Sequence, residues 1–116
     1  MLFRSGEAAA RVLEQAVGLE KAGAFAVVLE AMPSEVAADI TRSLQVPTIG
    51  IGAGPTCDAQ VLVVNDLLGL NERLPKLAKA YADLRTTIAN AATAFARDVE
   101  AGTFPDEAHK IGRAHV

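Results

Sequence analysis

The chemistry-bearing candidate in this chain is a single carboxylate closing an apolar run, Val27-Val28-Leu29-Glu30, ahead of Ala31-Met32-Pro33. In chains that alternate strand and helix, residues at the C-terminal ends of parallel strands face the ligand, which makes Glu30 the candidate catalytic residue. After the apolar run Ala24 to Leu29, part of its surroundings is expected to be poor in water. Such surroundings raise a carboxyl pKa and suit a general base working near neutral pH. A strand-end glutamate that only solvates the edge before a helix fits the same position.

A second cluster is Gly50-Ile51-Gly52-Ala53-Gly54. Its backbone amides could cradle an anion, but it lacks the full dinucleotide spacing and runs into Pro55 rather than an evident helix. Close backbone packing or a tight bend is the better reading. Asp58 and Asp66 flank a later apolar run and are read as turn and capping residues, because the chain offers no carboxylate cluster dense enough for a hard cation. Cys57 has no neighbouring base or cation and reads as a small buried filler. His109, behind Phe104-Pro105-Asp106-Glu107, reads as a solvated residue near a polar terminus. No residue is assigned to a metal or to cofactor binding.

The elements that must position Glu30 follow from periodicity. Ala9, Val12, Leu13, Ala16, Val17 and Leu19 predict a helix from Glu7 to Lys21, with Gly23 placed for a left-handed cap. Phe25 to Leu29 reads as a short strand covered on both faces. Pro33 and Ser34 open a helix whose Val36, Ala37, Ile40 and Leu44 share a face. Val46-Pro47 ends it, since a residue before proline is pushed toward extended geometry, and Thr48 to Ile51 forms the next strand. Gln60 to Val64 is expected as a third buried strand, ended by Asn65-Asp66. Gly69 and Pro75 then bracket an irregular connection. Leu77, Tyr81, Leu84, Ile88, Ala91, Phe95 and Val99 predict a long helix from Lys76 to about Ala101 with one buried face and Gly102 just past its end. Buried parallel strands with helices outside them make an α/β fold.

Composition bounds the partners. The chain has 116 residues, 51% hydrophobic, enough for one small core but below the roughly 250 residues of a complete eight-stranded barrel. A formal net charge of −3, with Lys and Arg scattered along helices, gives no footprint for nucleic acid. No apolar run approaches a membrane span. A single cysteine excludes an internal disulfide and fits a reducing, cytoplasmic compartment. The termini stand apart: DNA encoding Leu2-Phe3-Arg4-Ser5 can have a reverse complement that reads Ile111-Gly112-Arg113 and on into Ala114. Residues 1–5 and 111–116 therefore resemble translated sequencing-adapter DNA and are set aside, His115 with them, leaving 6–110 as part of one domain.

Taken in order, VVLEAMP, ADITRSLQVPTIGIGAG, CDAQVLVVNDLLGL, KLAKAY and DVEAGTFPDEAH resemble the second half of the ketopantoate hydroxymethyltransferase family. Departures are mild: Ala59 replaces a usual glycine, Ala31-Met32 stand where Cys-Val is frequent, and Leu77 stands where phenylalanine is common. The resemblance implies a (β/α)8 TIM barrel of the phosphoenolpyruvate/pyruvate type, of which this chain would hold about three of eight strands plus a long C-terminal helix. It implies transfer of a hydroxymethyl group from 5,10-methylenetetrahydrofolate to 3-methyl-2-oxobutanoate, on the way to pantothenate, and a homo-oligomeric parent. Glu30 matches the family's catalytic base. The family's Mg²⁺ carboxylates and its substrate-binding serine and lysine lie on earlier strands, outside this chain.

Two other readings stand beside this one. One is a related barrel, such as a lyase, forming an enolate from another 2-oxo acid; the other is an α/β interaction module in which the Leu77 to Val99 stripe binds a partner. Three strands cannot close a barrel, so the isolated chain is expected to expose strand edges and apolar faces, and to be inactive and unstable or aggregating.

Overall fold

A computed structural model describes residues 6–112; the readings on 1–5 and 113–116 lie outside the described residues. The elements are α1 (Gly6–Lys21), β1 (Val27–Glu30), α2 (Ser34–Ser43), β2 (Thr48–Ile51), β3 (Ala59–Gln60), α3 (Val64–Leu67) and α4 (Leu84–Ala101), followed by a 3-10 turn at Glu107–His109. The strands form one sheet in the order β1-β2-β3. Both pairings are parallel, with Val27 opposite Thr48 and Glu30 opposite Ile51, and Ile49 opposite Ala59.

The core lies on one face of this sheet. Val27 and Leu29 are buried with Ala16 of α1 and Ala37 and Ile40 of α2, as expected where helical stripes meet alternate strand residues. Pro33 sets the start of α2, its carbonyl accepting from Val36 N and Ala37 N, both at 3.1 Å. At the other end of the layer, the Glu20 carboxylate accepts from the backbone N–H groups of Gln45 at 2.6 Å and Val46 at 2.9 Å. That pair of bonds fixes α1 to the turn that feeds β2.

Beneath α2, Thr48 is fully buried. Its hydroxyl lies 2.9 Å from that of Thr41 and accepts from Asp58 N at 3.2 Å. The Asp58 carboxylate in turn accepts from Thr48 N at 2.8 Å. This polar knot satisfies a buried hydroxyl and ties the loop before β3 to the start of β2. Asp58 is thus the turn residue expected.

Three expectations are corrected. First, β1 is covered on one face only: Val28 is 57% exposed while its neighbours Val27 and Leu29 are buried, because the helix layer packs on one side of the pleat. Phe25, expected within the strand, precedes it and is 90% exposed.

Second, the third strand stops at Gln60 instead of running to Val64. Val61 N still reaches Gly50 O at 3.0 Å, but the far edge of β3 has no neighbour in the sheet. The chain curls instead: Val63 O accepts from Asp66 N at 3.0 Å and Leu67 N at 2.9 Å, opening α3. Asn65 and Asp66 lie inside that short helix rather than ending a strand.

Third, the long helix begins at Leu84, not Lys76. Asp83 caps it by accepting from Thr86 N at 3.3 Å, a side-chain bond that satisfies one of the free amides of the first turn. Upstream, Tyr81 N bonds Leu67 O at 2.8 Å, and Leu84 N bonds Leu68 O at 2.9 Å. These bonds hold the segment against the end of α3 in a non-helical path. Nor is one face of α4 buried: Ile88, Phe95 and Val99 are all about half exposed and no residue of the helix is buried. Gly102 does end it in a left-handed conformation, φ 74°. Overall the chain is long and open, 70 × 32 × 17 Å with a radius of gyration of 23.9 Å, against about 13 Å for a compact domain of this length.

Candidate functional site

Glu30 is the last residue of β1 and is exposed. By strand alternation it shares the bare face of the sheet with Val28, and in register with Ile49 and Ile51 of β2. The water-poor surroundings expected for this carboxylate are therefore not supplied by the described residues. What the chain does supply is a defined exit from the strand. Ala31 adopts φ 52°, a left-handed conformation uncommon for a residue with a Cβ. In it, Ala31 N donates to Ile51 O at 2.9 Å and Met32 N to Gly52 O at 3.1 Å. The ends of β1 and β2 are thereby clasped beyond the sheet proper, with Glu30 just inside the clasp.

The glycine cluster packs rather than cradles. Gly52 (φ 68°) and Gly54 (φ 81°) both hold left-handed conformations. A Cβ on Gly52 would sit 2.7 Å from Cδ2 of Leu77, and one on Gly54 would run into Cβ of Ser34. Close approach accounts for both glycines, as the sequence suggested. Gln60 Nε2 pins the loop by donating to Gly54 O at 2.9 Å.

These approaches border a cleft of about 600 Å³ at the strand ends, lined by Ala31, Met32, Ser34, Gly52, Lys76 and Leu77. Lys76 and Leu77 were not legible as site residues. Their apolar spacing reads as the first turn of a helix, and nothing local in the sequence says that Leu77 folds back onto Gly52. The one available signal is Gly52 itself, whose missing side chain implies a close neighbour without naming it.

Glu30 precedes the lining residue Ala31 without itself belonging to the lining, and the remaining candidates stay apart from it as well. Cys57 is buried, as expected. Asp66 is buried and accepts from Asn71 Nδ2 at 2.8 Å. His109 pairs with Asp106 and packs its ring against Phe104. Among the described residues no group of three or more His, Cys, Asp or Glu side chains could hold a metal ion, and the carboxylates of Asp58 and Asp66 are taken up by Thr48 and Asn71. The described residues do not fit a Mg²⁺ site of their own. No helix among them is long and apolar enough to cross a membrane.

Comparison with known proteins bears on what such a site does. Residues 3–107 match the family model described as ketopantoate hydroxymethyltransferase. The chain is 57% identical over 109 residues to a 3-methyl-2-oxobutanoate hydroxymethyltransferase of Streptomyces avermitilis, covering 93% of this chain and 38% of that protein. It is 58% identical over 106 residues to the protein of that name from Thermobifida fusca, covering 91% of this chain and 38% of the relative. A third, from Cyanothece sp., is 54% identical over 102 residues, 88% of this chain and 39% of its own. The chain thus spans about two fifths of the length of the relatives it matches. The lyase and interaction-module readings gain no support from these matches. From the family match and these identities, the chain belongs to the ketopantoate hydroxymethyltransferase family.

Proposed function

We propose that the whole protein to which this chain corresponds is a 3-methyl-2-oxobutanoate hydroxymethyltransferase, and that Glu30 is its catalytic base. The observation that carries this is the place of Glu30 at the C-terminal end of a parallel strand, in a chain more than half identical to enzymes of that name. In an α/β barrel that end of the strands is the catalytic face. On this reading β1, β2 and β3 are three of the eight strands of a TIM barrel, and the bare face bearing Val28, Glu30, Ile49 and Ile51 is its interior.

Glu30 takes the proton from C3 of 3-methyl-2-oxobutanoate, leaving an enolate whose carbon attacks the one-carbon unit of 5,10-methylenetetrahydrofolate. A new C–C bond forms, the bonds from that unit to the folate nitrogens break, water supplies the hydroxyl, and tetrahydrofolate leaves. A positioned carboxylate contributes about 10²- to 10⁴-fold in such a proton transfer. The clasp through Ala31 and Met32 fixes where the carboxylate stands. Mg²⁺, which the family resemblance implies, has no ligand set among the described residues.

The whole protein is further read as a cytoplasmic homo-oligomer. The exposed apolar stripe of α4 supports association, and the lone cysteine supports a reducing compartment.

The test uses a chimaera in which residues 6–112 replace the matching segment of the Streptomyces avermitilis relative. Changing Glu30 to Gln in it removes the base while keeping the shape, and exchange of the C3 hydrogen with deuterated water reads the proton transfer alone.

A further inference from the structure

We infer that the cleft between the β1 and β2 ends holds the one-carbon donor, and that Lys76 binds the carboxylates of its glutamate tail; this rests on the folate-dependent reading above.

Four observations support it. At about 600 Å³ the cleft falls within the roughly 300–1,000 Å³ of sites for drug-sized ligands, and is far larger than a branched 2-oxo acid requires. Its walls are of two kinds: Ala31, Met32 and Leu77 present apolar surface suited to a flat ring system, Met being able to adapt its shape, while Lys76, an exposed residue, adds a cationic side chain to the lining.

That ammonium is also uncommitted. Among the described residues Lys76 is in no ion pair, whereas nearby Lys79 lies over the Tyr81 ring at 4.9 Å. The Ser34 hydroxyl, the other polar side chain of the lining, donates to Glu35 at 3.3 Å. Lys76 is thus the group left to meet an anion.

Its position is set by the strand ends rather than by chance. Leu77 packs over Gly52, where any Cβ would collide with it, and this seats Lys76 beside the turn that follows β2. The glycine that allows this approach and the residue after Glu30 line the same cleft. A donor seated there would have its rings near the base and its tail at the rim.

Both substrates carry carboxylates, and the experiment separates them. Equilibrium binding of tetrahydrofolate to the chimaera is measured alongside tetrahydropteroate used as its methyl ester, which lacks the glutamate and carries no carboxylate. Lys76→Met is expected to weaken tetrahydrofolate about tenfold, the size of one charge-assisted contact, and to leave tetrahydropteroate unchanged. Lys76→Arg is expected to restore most of the loss, and added salt to weaken tetrahydrofolate alone. On the unsubstituted chimaera, tetrahydropteroate should already bind about tenfold more weakly than tetrahydrofolate, a comparison that requires no variant to fold. Equal binding of the two ligands overturns the inference, as does an equal loss for both on Lys76→Met, or a rise in the KM of the 2-oxo acid instead. Loss of exchange in Glu30→Gln with normal tetrahydrofolate binding leaves the inference standing, whereas undiminished exchange in that variant sinks only the base assignment.

Discussion

Glu30 stands opposite Ile51 in parallel register, and the next residue, Ala31, donates its N–H to the Ile51 carbonyl at 2.9 Å from a left-handed conformation. The strand pairing therefore continues past the sheet by one strained residue. Strain of this kind costs of order 1–3 kcal/mol and persists where surrounding bonds over-determine it. Replacing Ala31 with Val adds branching at a position with positive φ, and is expected to lower stability by about 2 kcal/mol. Urea midpoints of the chimaera measure this; an unchanged midpoint would show that the conformation is not held.

Gly52 combines a positive φ with contact against Leu77. Gly52→Ala should cost about 1–3 kcal/mol from the two effects together. The double variant Gly52→Ala, Leu77→Ala removes the Cδ2 contact but keeps the Leu77 Cβ, which would stand 2.9 Å from the new methyl, so it should recover only part of the steric cost and leave at least about 1 kcal/mol. Simple additivity of the two single changes would show that the side chains do not meet.

Glu20 joins α1 to the turn before β2 through two backbone N–H groups. Charge-assisted bonds of this kind are worth about 1.5–3 kcal/mol before solvent competition. Glu20→Ala is expected to lower unfolding free energy by about 1–2 kcal/mol. Glu14 on the same helix is exposed, with no such bond, and Glu14→Ala should change stability by under about 0.5 kcal/mol. Equal effects at the two positions would contradict the assignment.

The chain on its own exposes 8721 Å², against about 6,000 Å² for a compact monomer of its mass. Val28 on the bare sheet face, Phe25 ahead of β1, and the Ile88, Phe95 and Val99 stripe of α4 contribute to the excess. Edges and apolar patches of this extent drive association. Residues 6–110 alone should elute as oligomers or aggregates and lack cooperative unfolding. A monomer with a sharp thermal transition in circular dichroism would count against this.

How far the sequence reveals the fold depends on whether an element is decided locally. β2 is found at Thr48 to Ile51 as read, because Pro47 forbids helix before it and glycine ends it. α2 starts at Ser34 because Pro33 fits a first turn and Val36, Ala37 and Ile40 supply a face to bury. β3 falls short because a strand lasts only as far as its neighbours pair with it: Val61 N makes the last bond to β2, and the chain then curls into α3. The start of α4 is misplaced because Leu77, Tyr81 and Leu84 keep helical spacing across a segment whose amides are instead bonded to α3 and the residue after it. Glu30 was legible as a strand-end carboxylate, but the water-poor surroundings expected for it are not found among the described residues, whose helices pack on the opposite face of β1. Lys76 was missed because its place beside Gly52 is a long-range fact.

The base assignment is tested most directly by deuterium exchange at C3 of 3-methyl-2-oxobutanoate, followed by NMR without folate, in the chimaera and its Glu30→Gln variant. Exchange should fall by about 10²-fold or more in the variant while the 2-oxo acid still binds. Exchange at the unsubstituted rate with Gln at position 30 would show that another group removes the proton.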